Sequence, residues 1–352
     1  MIGKLFRLFL LLLVLAVGLA GGTVYWAFTK FHEPGPAAAD TTVIIDRGLG
    51  VRGIADKLAE AGVISDPLVF AAGVRVYGEG QPLKAGEYLF ASRLSMRLVM
   101  EQMIAGGTIQ HRLTVPEGLT SAEIVALVAA APDLDGAVPA ALPADGTLLP
   151  ETYFFSRGDT RAQLLERMRK GMQDALAELW PARDGTLTLA NVAEAVTLAS
   201  IVEKETAVPE ERPHVASVFF NRLAKGMPLQ SDPTVIYAVT GGKGPLGRPL
   251  SKADLQVANP YNTYVNAGLP PGPIANPGEA SLQAALEPEQ TKALYFVAKP
   301  DGSGTHVFSE TFEAHQQAVA KYRRGTASSA SKTTSRVAQP APGRAGDRGP
   351  RR

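Results

Sequence analysis

Residues Leu8 to Phe28 run for 21 positions without a charged side chain, and most of them are Leu, Val, Ala or Gly. A stretch of this kind has few ways to bury itself. As an α-helix it is about 31 Å long, which matches the hydrocarbon core of a bilayer. It lacks the polar face that a surface helix of a soluble domain shows to water. A cleaved signal peptide is the nearer rival, with Gly18-Leu19-Ala20 as a small-residue site. Signal cores, however, run only ~7–15 residues. The sequence therefore predicts a transmembrane helix over residues 8–28. Lys4 and Arg7 precede it and Tyr25-Trp26 stand at its far end. By the positive-inside rule residues 1–7 are cytoplasmic and the body of the chain is exported.

Charge is distributed to match. The net +1 comes from 35 Lys+Arg against 34 Asp+Glu, but residues 325–352 carry +5 and residues 1–7 carry +2, which leaves −6 for residues 8–324. A mildly acidic body has no basic footprint for nucleic acid, and no nucleic-acid partner is expected. With 45% apolar and 20% charged residues the body can bury a substantial core, about two domains by length. There is no cysteine, so disulfides, thiolate metal sites and a cysteine nucleophile are excluded.

Residues 29–40, with Glu33-Pro-Gly-Pro-Ala-Ala-Ala-Asp40, read as a linker. A strand at 42–45, helices at 51–61 and 67–76, a strand at 83–90 and a helix at 95–104 then make a small βααβα module over 41–107. It holds no cluster of chemically reactive side chains. Residues 108–324 form a second region. It opens with a strand at 109–115, and Thr120 and Glu123 make a capping box for the helix that follows. Helices are predicted at 160–179 and 188–207. In the latter, Ala195–Val202 carries no charge and runs directly into Glu203-Lys-Glu-Thr206. Residues 325–352 are rich in Ala, Ser, Thr, Pro, Gly and Arg, and are expected to be disordered. The fold class is thus α+β.

Glu203 and Glu205 are two residues apart, about 200° around a helix, so they cannot act as a facing pair. Either one, partly desolvated, would have a raised pKa and could serve as a general acid. Either could equally end in a salt bridge with Arg212 or Arg222, and helix geometry does not choose between them. Downstream lie three turn-rich loops: Gln230-Ser-Asp-Pro-Thr234, Asn259-Pro-Tyr-Asn-Thr-Tyr264, and Gly268-Leu-Pro-Pro-Gly-Pro-Ile274 followed by Asn276-Pro277. Amides, hydroxyls and aromatic rings on rigid loops suit sugar hydroxyls and N-acetyl groups, although the same residues are ordinary turn formers. The five histidines have no metal-ligand spacing, and Ser200 lacks a nucleophile-elbow context. Neither metal nor cofactor is expected.

Five ordered blocks carry a resemblance: Leu198-Ala-Ser-Ile-Val-Glu-Lys-Glu-Thr206, Val215-Ala-Ser-Val-Phe-Phe-Asn-Arg-Leu223, Leu229-Gln-Ser-Asp-Pro-Thr-Val-Ile-Tyr237, Tyr261-Asn-Thr-Tyr264 and Gly268-Leu-Pro-Pro-Gly-Pro-Ile274. Together with Val115-Pro-Glu-Gly118 and Leu149-Pro-Glu-Thr-Tyr153, they resemble the YceG-like family of endolytic murein transglycosylases, over nearly the whole chain except the tail. The resemblance implies a single-pass inner-membrane protein with a LysM-like module over 41–107 and a periplasmic catalytic domain over 108–324. It implies Glu205 as the catalytic residue, followed by Thr206 where related enzymes have Ser or Thr. Gln230, Asp232, Tyr261, Asn262 and Tyr264 are expected to bind substrate. Pro150-Glu151 stands where many members have Pro-Asp, and no role is assigned to Glu151. The implied substrate is the glycan strand of peptidoglycan, and peptidoglycan synthases are the implied neighbours. The implied reaction needs one carboxyl group, because the 6-hydroxyl of MurNAc replaces water. Two rivals differ in kind. One is a non-catalytic peptidoglycan-binding scaffold. The other is a soluble pyridoxal-phosphate lyase, which would need a Schiff-base lysine in a cytoplasmic fold and so conflicts with an exported body.

Overall fold

The computed structural model describes the backbone of residues 2–337 and the side chains of residues 3–325. Helix α1 covers Ile2–His32, and its large apolar side chains from Leu5 to Phe28 are exposed. The stretch Gly3–His32 is long and apolar enough to cross a membrane. The helix continues past Phe28 into the expected linker because Phe31 is anchored: it is 2% exposed and its ring stacks on Tyr77 at 5.5 Å between centroids. Gly73 makes room for that ring, since a Cβ there would stand 2.2 Å from Phe31. Gly73→Ala is expected to cost about 1–3 kcal/mol by overpacking, less roughly 1 kcal/mol of gained helix propensity. A thermal melt checks this, and an unchanged midpoint would mean that the ring has space to move.

Two compact units divide the chain. The first takes in Met1–Thr114, Val128–Pro139 and Thr152–Leu164. In it β1 (Thr41–Ile45) pairs antiparallel with β2 (Gly86–Phe90), with Val43 opposite Tyr88. Alternation along both strands sends Val43, Ile45, Tyr88 and Phe90 inward, where they meet α2 (Val51–Glu60), α3 (Pro67–Tyr77) and α4 (Met96–Ala105). The caps are local. Asp66 accepts from the amides of Leu68 and Val69, Ser95 accepts from Leu98, and Gly106 ends α4 in the left-handed conformation. This is the βααβα order that the sequence predicts. The unit also holds β3 (His111–Thr114) and its antiparallel partner β4 (Thr152–Phe155), and so extends beyond the boundary expected at residue 107.

The second unit comprises Val115–Leu127, Ala140–Glu151 and the chain from Leu165 onward. Helix α5 (Ser121–Ala130) starts in it, and most of α6 (Arg161–Ala182) belongs to it. The predicted capping box opens α5: the Glu123 carboxylate accepts from the Thr120 amide at 2.8 Å, and the Thr120 hydroxyl accepts from the Glu123 amide at 3.3 Å. The central helix is α7 (Val192–Glu205), in which every residue from Ala195 to Val202 is buried. Around it pack α8 (Arg212–Ala224), α9 (Asp232–Thr240) and α10 (Glu279–Leu286). A short antiparallel pair, β5 (Tyr295–Ala298) and β6 (His306–Ser309), is followed by α11 (Phe312–Val337). Each Leu, Ile or Val that α7 buries contributes roughly 1.5–3 kcal/mol, so the helix is held against sliding. The tail expected from Gly325 begins inside α11, and residues 338–352 lie outside the described residues.

Two buried polar residues fix loops near α7. The Ser200 hydroxyl donates to the Thr197 carbonyl at 2.7 Å and accepts from the Ile274 amide at 3.0 Å, which ties down the loop of residues 268–274. Asn276 is fully buried, accepts from the Leu148 amide and donates to the Leu119 carbonyl and the Ser121 hydroxyl. Ser200 and Asn276 are therefore structural residues.

Candidate functional site

Helix α7 stops at Glu205 because Thr206 turns to extended backbone, with φ −140° and ψ 133°. The Thr206 hydroxyl accepts from the Val208 amide at 3.1 Å, which stabilises the turn. The two glutamates on this last turn meet different surroundings. Glu203 accepts from Arg212 Nη2 at 3.1 Å and from the Gly278 amide at 3.0 Å, and Arg212 Nη2 also bonds to Glu117 at 2.8 Å. Both Glu203 and Arg212 are almost closed to solvent, at 5% and 8% of their side-chain surface. Both Glu203 oxygens are thus spent on structure.

Glu205 faces the other way, where it lines a cavity of about 280 Å³ with Phe219, Arg222, Gln230, Asp232 and Tyr264. Leu229, Phe296 and His315 complete the wall. The one hydrogen bond that the Glu205 side chain makes among the described residues comes from the Ser231 hydroxyl, at 2.5 Å to Oε1. Burial pushes the Glu205 carboxyl up to about 7; the Asp232 carboxylate adds to this, while the Ser231 bond and the Arg222 guanidinium oppose it. A carboxyl group poised near neutrality can give a proton in one step and take one in the next, which is what a single acid–base residue requires.

The walls are built for rigidity. Arg222 is 8% exposed and donates to the carbonyls of Leu294, Pro228 and Leu229 and to Gln230 Oε1. Its guanidinium lies 5.2 Å from the Tyr295 ring centre, and burial lowers its pKa. Gln230 adopts a left-handed backbone, φ 52°, held by a bond from its amide to the Thr263 carbonyl. A non-glycine residue in that region stores strain of about 1–3 kcal/mol. Tyr264 donates to Asp232 Oδ1 at 2.6 Å, and burial followed by this bond raises the phenol's pKa. His315 stacks on Tyr295 at 5.1 Å; its buried Nδ1 has no partner among the described residues, and burial lowers its pKa. A second cavity, about 310 Å³, is lined by Lys204, Pro233, Tyr237, Leu246 and Ile274 among others. Lys204 and Pro233 adjoin Glu205 and Asp232 in the chain, so the two cavities flank the end of α7.

Of the expected substrate ligands, Gln230, Asp232 and Tyr264 share the cavity with Glu205. Asn262, also expected to bind substrate, does not line this cavity. It is fully buried, donates to the carbonyls of Leu255 and Val257 and accepts from the Tyr264 amide, so its amide group shapes the loop and has no surface for a sugar. Tyr261 packs against Tyr237 at 4.7 Å between ring centres and lies outside the lining of the Glu205 cavity. Glu151 is an exposed side chain whose backbone carbonyl accepts from Val115. The sequence missed Ser231 and His315 as site residues, and named Arg222 only as a salt-bridge partner. Ser231 stands directly before Asp-Pro at a helix start, and that N-cap signature was legible. Nothing local marks His315, which reaches the cavity only because α11 packs on β5 and β6.

Residues 43–321 match the YceG-like family. An endolytic murein transglycosylase of Bacillus subtilis is 33% identical over 322 residues, covering 82% of this chain and 87% of that protein. One from Streptococcus pneumoniae is 30% identical over 328 residues, covering 80% of this chain but only 58% of that longer protein. A crystallised yceG-like protein of Listeria monocytogenes is 31% identical, with a TM-score of 0.49 over 79% of this chain and 98% of that one. Since the match takes in both compact units and every residue of the Glu205 cavity, the chain belongs to the YceG-like family.

Proposed function

We infer that this protein is a peptidoglycan lytic transglycosylase, an endolytic enzyme that cuts glycan strands between MurNAc and GlcNAc. The observation that carries this is the lone poised carboxyl. Glu205 is held near pKa 7 in an open cavity, while both oxygens of Glu203 are taken by Arg212 and Gly278, and Oδ1 of Asp232 is taken by Tyr264. Ordinary glycoside hydrolysis uses two free carboxyl groups, one for the leaving oxygen and one for water or the anomeric carbon. Here protonated Glu205 gives its proton to the glycosidic oxygen as the C1–O bond breaks, and GlcNAc leaves with a free 4-hydroxyl. Glu205, now a carboxylate, takes the proton of the MurNAc 6-hydroxyl as that oxygen bonds to C1. The product ends in 1,6-anhydroMurNAc, no water is consumed, and the carboxyl is restored. The MurNAc 2-acetamido group can stabilise the cationic centre between the two steps. Gln230, Asp232 and Tyr264 offer hydrogen bonds to sugar hydroxyls and acetamido groups, and the Lys204–Tyr237 cavity gives the strand room on the other side of Glu205. A non-catalytic scaffold has no use for a carboxyl held near neutrality.

The protein would then act as a single-pass protein of the inner membrane, with its N-terminus cytoplasmic and its body periplasmic. Its LysM-like module would lie over 41–107, and its substrate would be nascent strands beside the peptidoglycan synthases. The apolar helix Gly3–His32, with Lys4 and Arg7 ahead of its uncharged run from Leu8 to Phe28, supports that orientation. Full-length protein in detergent, incubated with uncrosslinked glycan in ¹⁸O-water, tests the chemistry. Anhydro-ended fragments free of ¹⁸O are expected; fragments carrying solvent oxygen would mean a hydrolase, and intact strands would mean a binding protein.

A further inference from the structure

Ser231 occupies the N-cap of α9, the position where a serine hydroxyl ordinarily accepts a hydrogen bond from the second or third helical amide. It makes no such bond. The second helical residue is Pro233, which has no N–H, and the third, Thr234, directs its amide to the Ser231 carbonyl at 3.2 Å. The first turn is therefore complete without the hydroxyl, and the hydroxyl points instead to Glu205 Oε1.

The rest of Ser231 is held on every side. It is 2% exposed, its amide donates to the Thr263 hydroxyl at 3.1 Å, and its carbonyl accepts from the Thr234 hydroxyl at 2.6 Å. Thr234 and Thr263 are hydrogen-bonded to each other at 2.8 Å, and both are essentially closed to solvent. The left-handed turn at Gln230 immediately precedes it. Strained backbone and a buried threonine pair are a large investment in the position of one hydroxyl group, and strain of this sort collects where geometry matters to function.

Taking the lytic transglycosylase activity inferred above, we propose that Ser231 is a positioning residue: its hydroxyl holds Oε1 of Glu205, so that Oε2 is the oxygen that carries the proton to the glycosidic bond and collects it from the 6-hydroxyl. Oε2 has no protein partner among the described residues, whereas Oε1 is occupied. Besides Ser231, the groups that face this carboxyl are Arg222 from α8, Asp232 from α9 and Tyr264 from the loop after it, with His315 of α11 on the same cavity. Arg222 and Ser231 favour the carboxylate, and Asp232 opposes it. A freely rotating carboxyl would present either oxygen, in geometries that miss the reacting atoms.

The test uses full-length protein in detergent micelles, as wild type, Ser231→Ala and Ser231→Gly; glycine also suits an N-cap, so the second variant serves if the first does not fold. With the activity assayed on uncrosslinked glycan, kcat is expected to fall roughly 10- to 100-fold with KM unchanged. The alkaline limb of the pH–rate profile moves upward, because the lost hydrogen bond stabilised the carboxylate. Carboxyl ¹³C titration of glutamate-labelled protein, with the Glu205 signal assigned by its absence in Glu205→Gln, reads the same shift without any turnover. A variant with wild-type kcat and an unmoved Glu205 titration overturns the proposal and leaves the enzyme assignment intact. Wild-type protein that makes no anhydro ends removes the enzyme assignment, and the titration still decides whether Ser231 holds the carboxyl. A loss expressed wholly in KM would make Ser231 a substrate ligand and would likewise overturn the proposal.

Discussion

Glu205→Gln is expected to abolish formation of anhydro ends and, above neutral pH, to make the protein more stable. The first effect follows from a mechanism with one proton carrier. A glutamine neither gives nor takes a proton, so a rate loss of at least 10²–10⁴ is expected, the usual contribution of a general acid–base group. The second follows from linkage. Burial raises the Glu205 carboxyl from 4.5 to about 7, so between those values the native state binds more protons than the unfolded chain. Its contribution to stability is fully present below about pH 4.5 and is lost as the pH rises through about 7. At pH 8 the wild type bears nearly the whole cost of a charged, desolvated carboxylate, on the order of 3–4 kcal/mol. Glutamine can still accept from the Ser231 hydroxyl and never ionises. Thermal melts at pH 5 and pH 8 should therefore show near-equal midpoints at the lower value and a variant several degrees more stable at the higher, given ~2–4 °C per kcal/mol in domains of this size. A variant that retains activity, or a stability difference identical at both pH values, would remove Glu205 from its role.

The largest purely structural effect is expected at Arg212. Its guanidinium bridges Glu203 and Glu117, and Glu203 is 5% exposed at its side chain. Arg212→Met leaves that carboxylate buried and half-satisfied, with the Gly278 amide its one remaining donor among the described residues. Removing one partner of a buried pair costs about 3–5 kcal/mol, more than the pair itself contributes. The loss should lie toward the lower end, since Arg212 Nε lacks a partner among the described residues and its desolvation cost disappears with it. Adding Glu203→Gln to Arg212→Met should recover much of the loss, because no charge is then stranded while the bond from Gly278 persists. Urea denaturation of the two variants gives the answer. A loss below about 1 kcal/mol in Arg212→Met would mean that water reaches the pair, since exposed pairs are worth no more than that.

These two positions also show how much of the site was legible in the sequence. Helix geometry alone places Glu203 and Glu205 on opposite sides of α7, and both sides carry apolar neighbours, so each looks equally fit to be an acid. The structure separates them through residues from other elements: Arg212 and Gly278 meet Glu203, whereas Ser231, Arg222 and Asp232 surround Glu205. Asn262 shows the same limit of a local reading. A polar residue in a turn-rich loop has the same local signature whether its amide serves a ligand or, as here, the carbonyls of Leu255 and Val257. Burial is what distinguishes the two, and burial is a property of the neighbours.

What the chain specifies by itself is what depends on near neighbours and on period. The apolar run of α1, the βααβα order, the capping box at Thr120 and Glu123, and the buried length of α7 all follow from spacing of a few residues, because helices, turns and caps close within one or two turns of chain. Phe31, the role of Glu203, the freed hydroxyl of Ser231 and the place of His315 were decided only by tertiary structure. Each depends on bringing together residues 9 to 110 positions apart, and the desolvation that raises the Glu205 carboxyl exists only once those distant segments have excluded water around it.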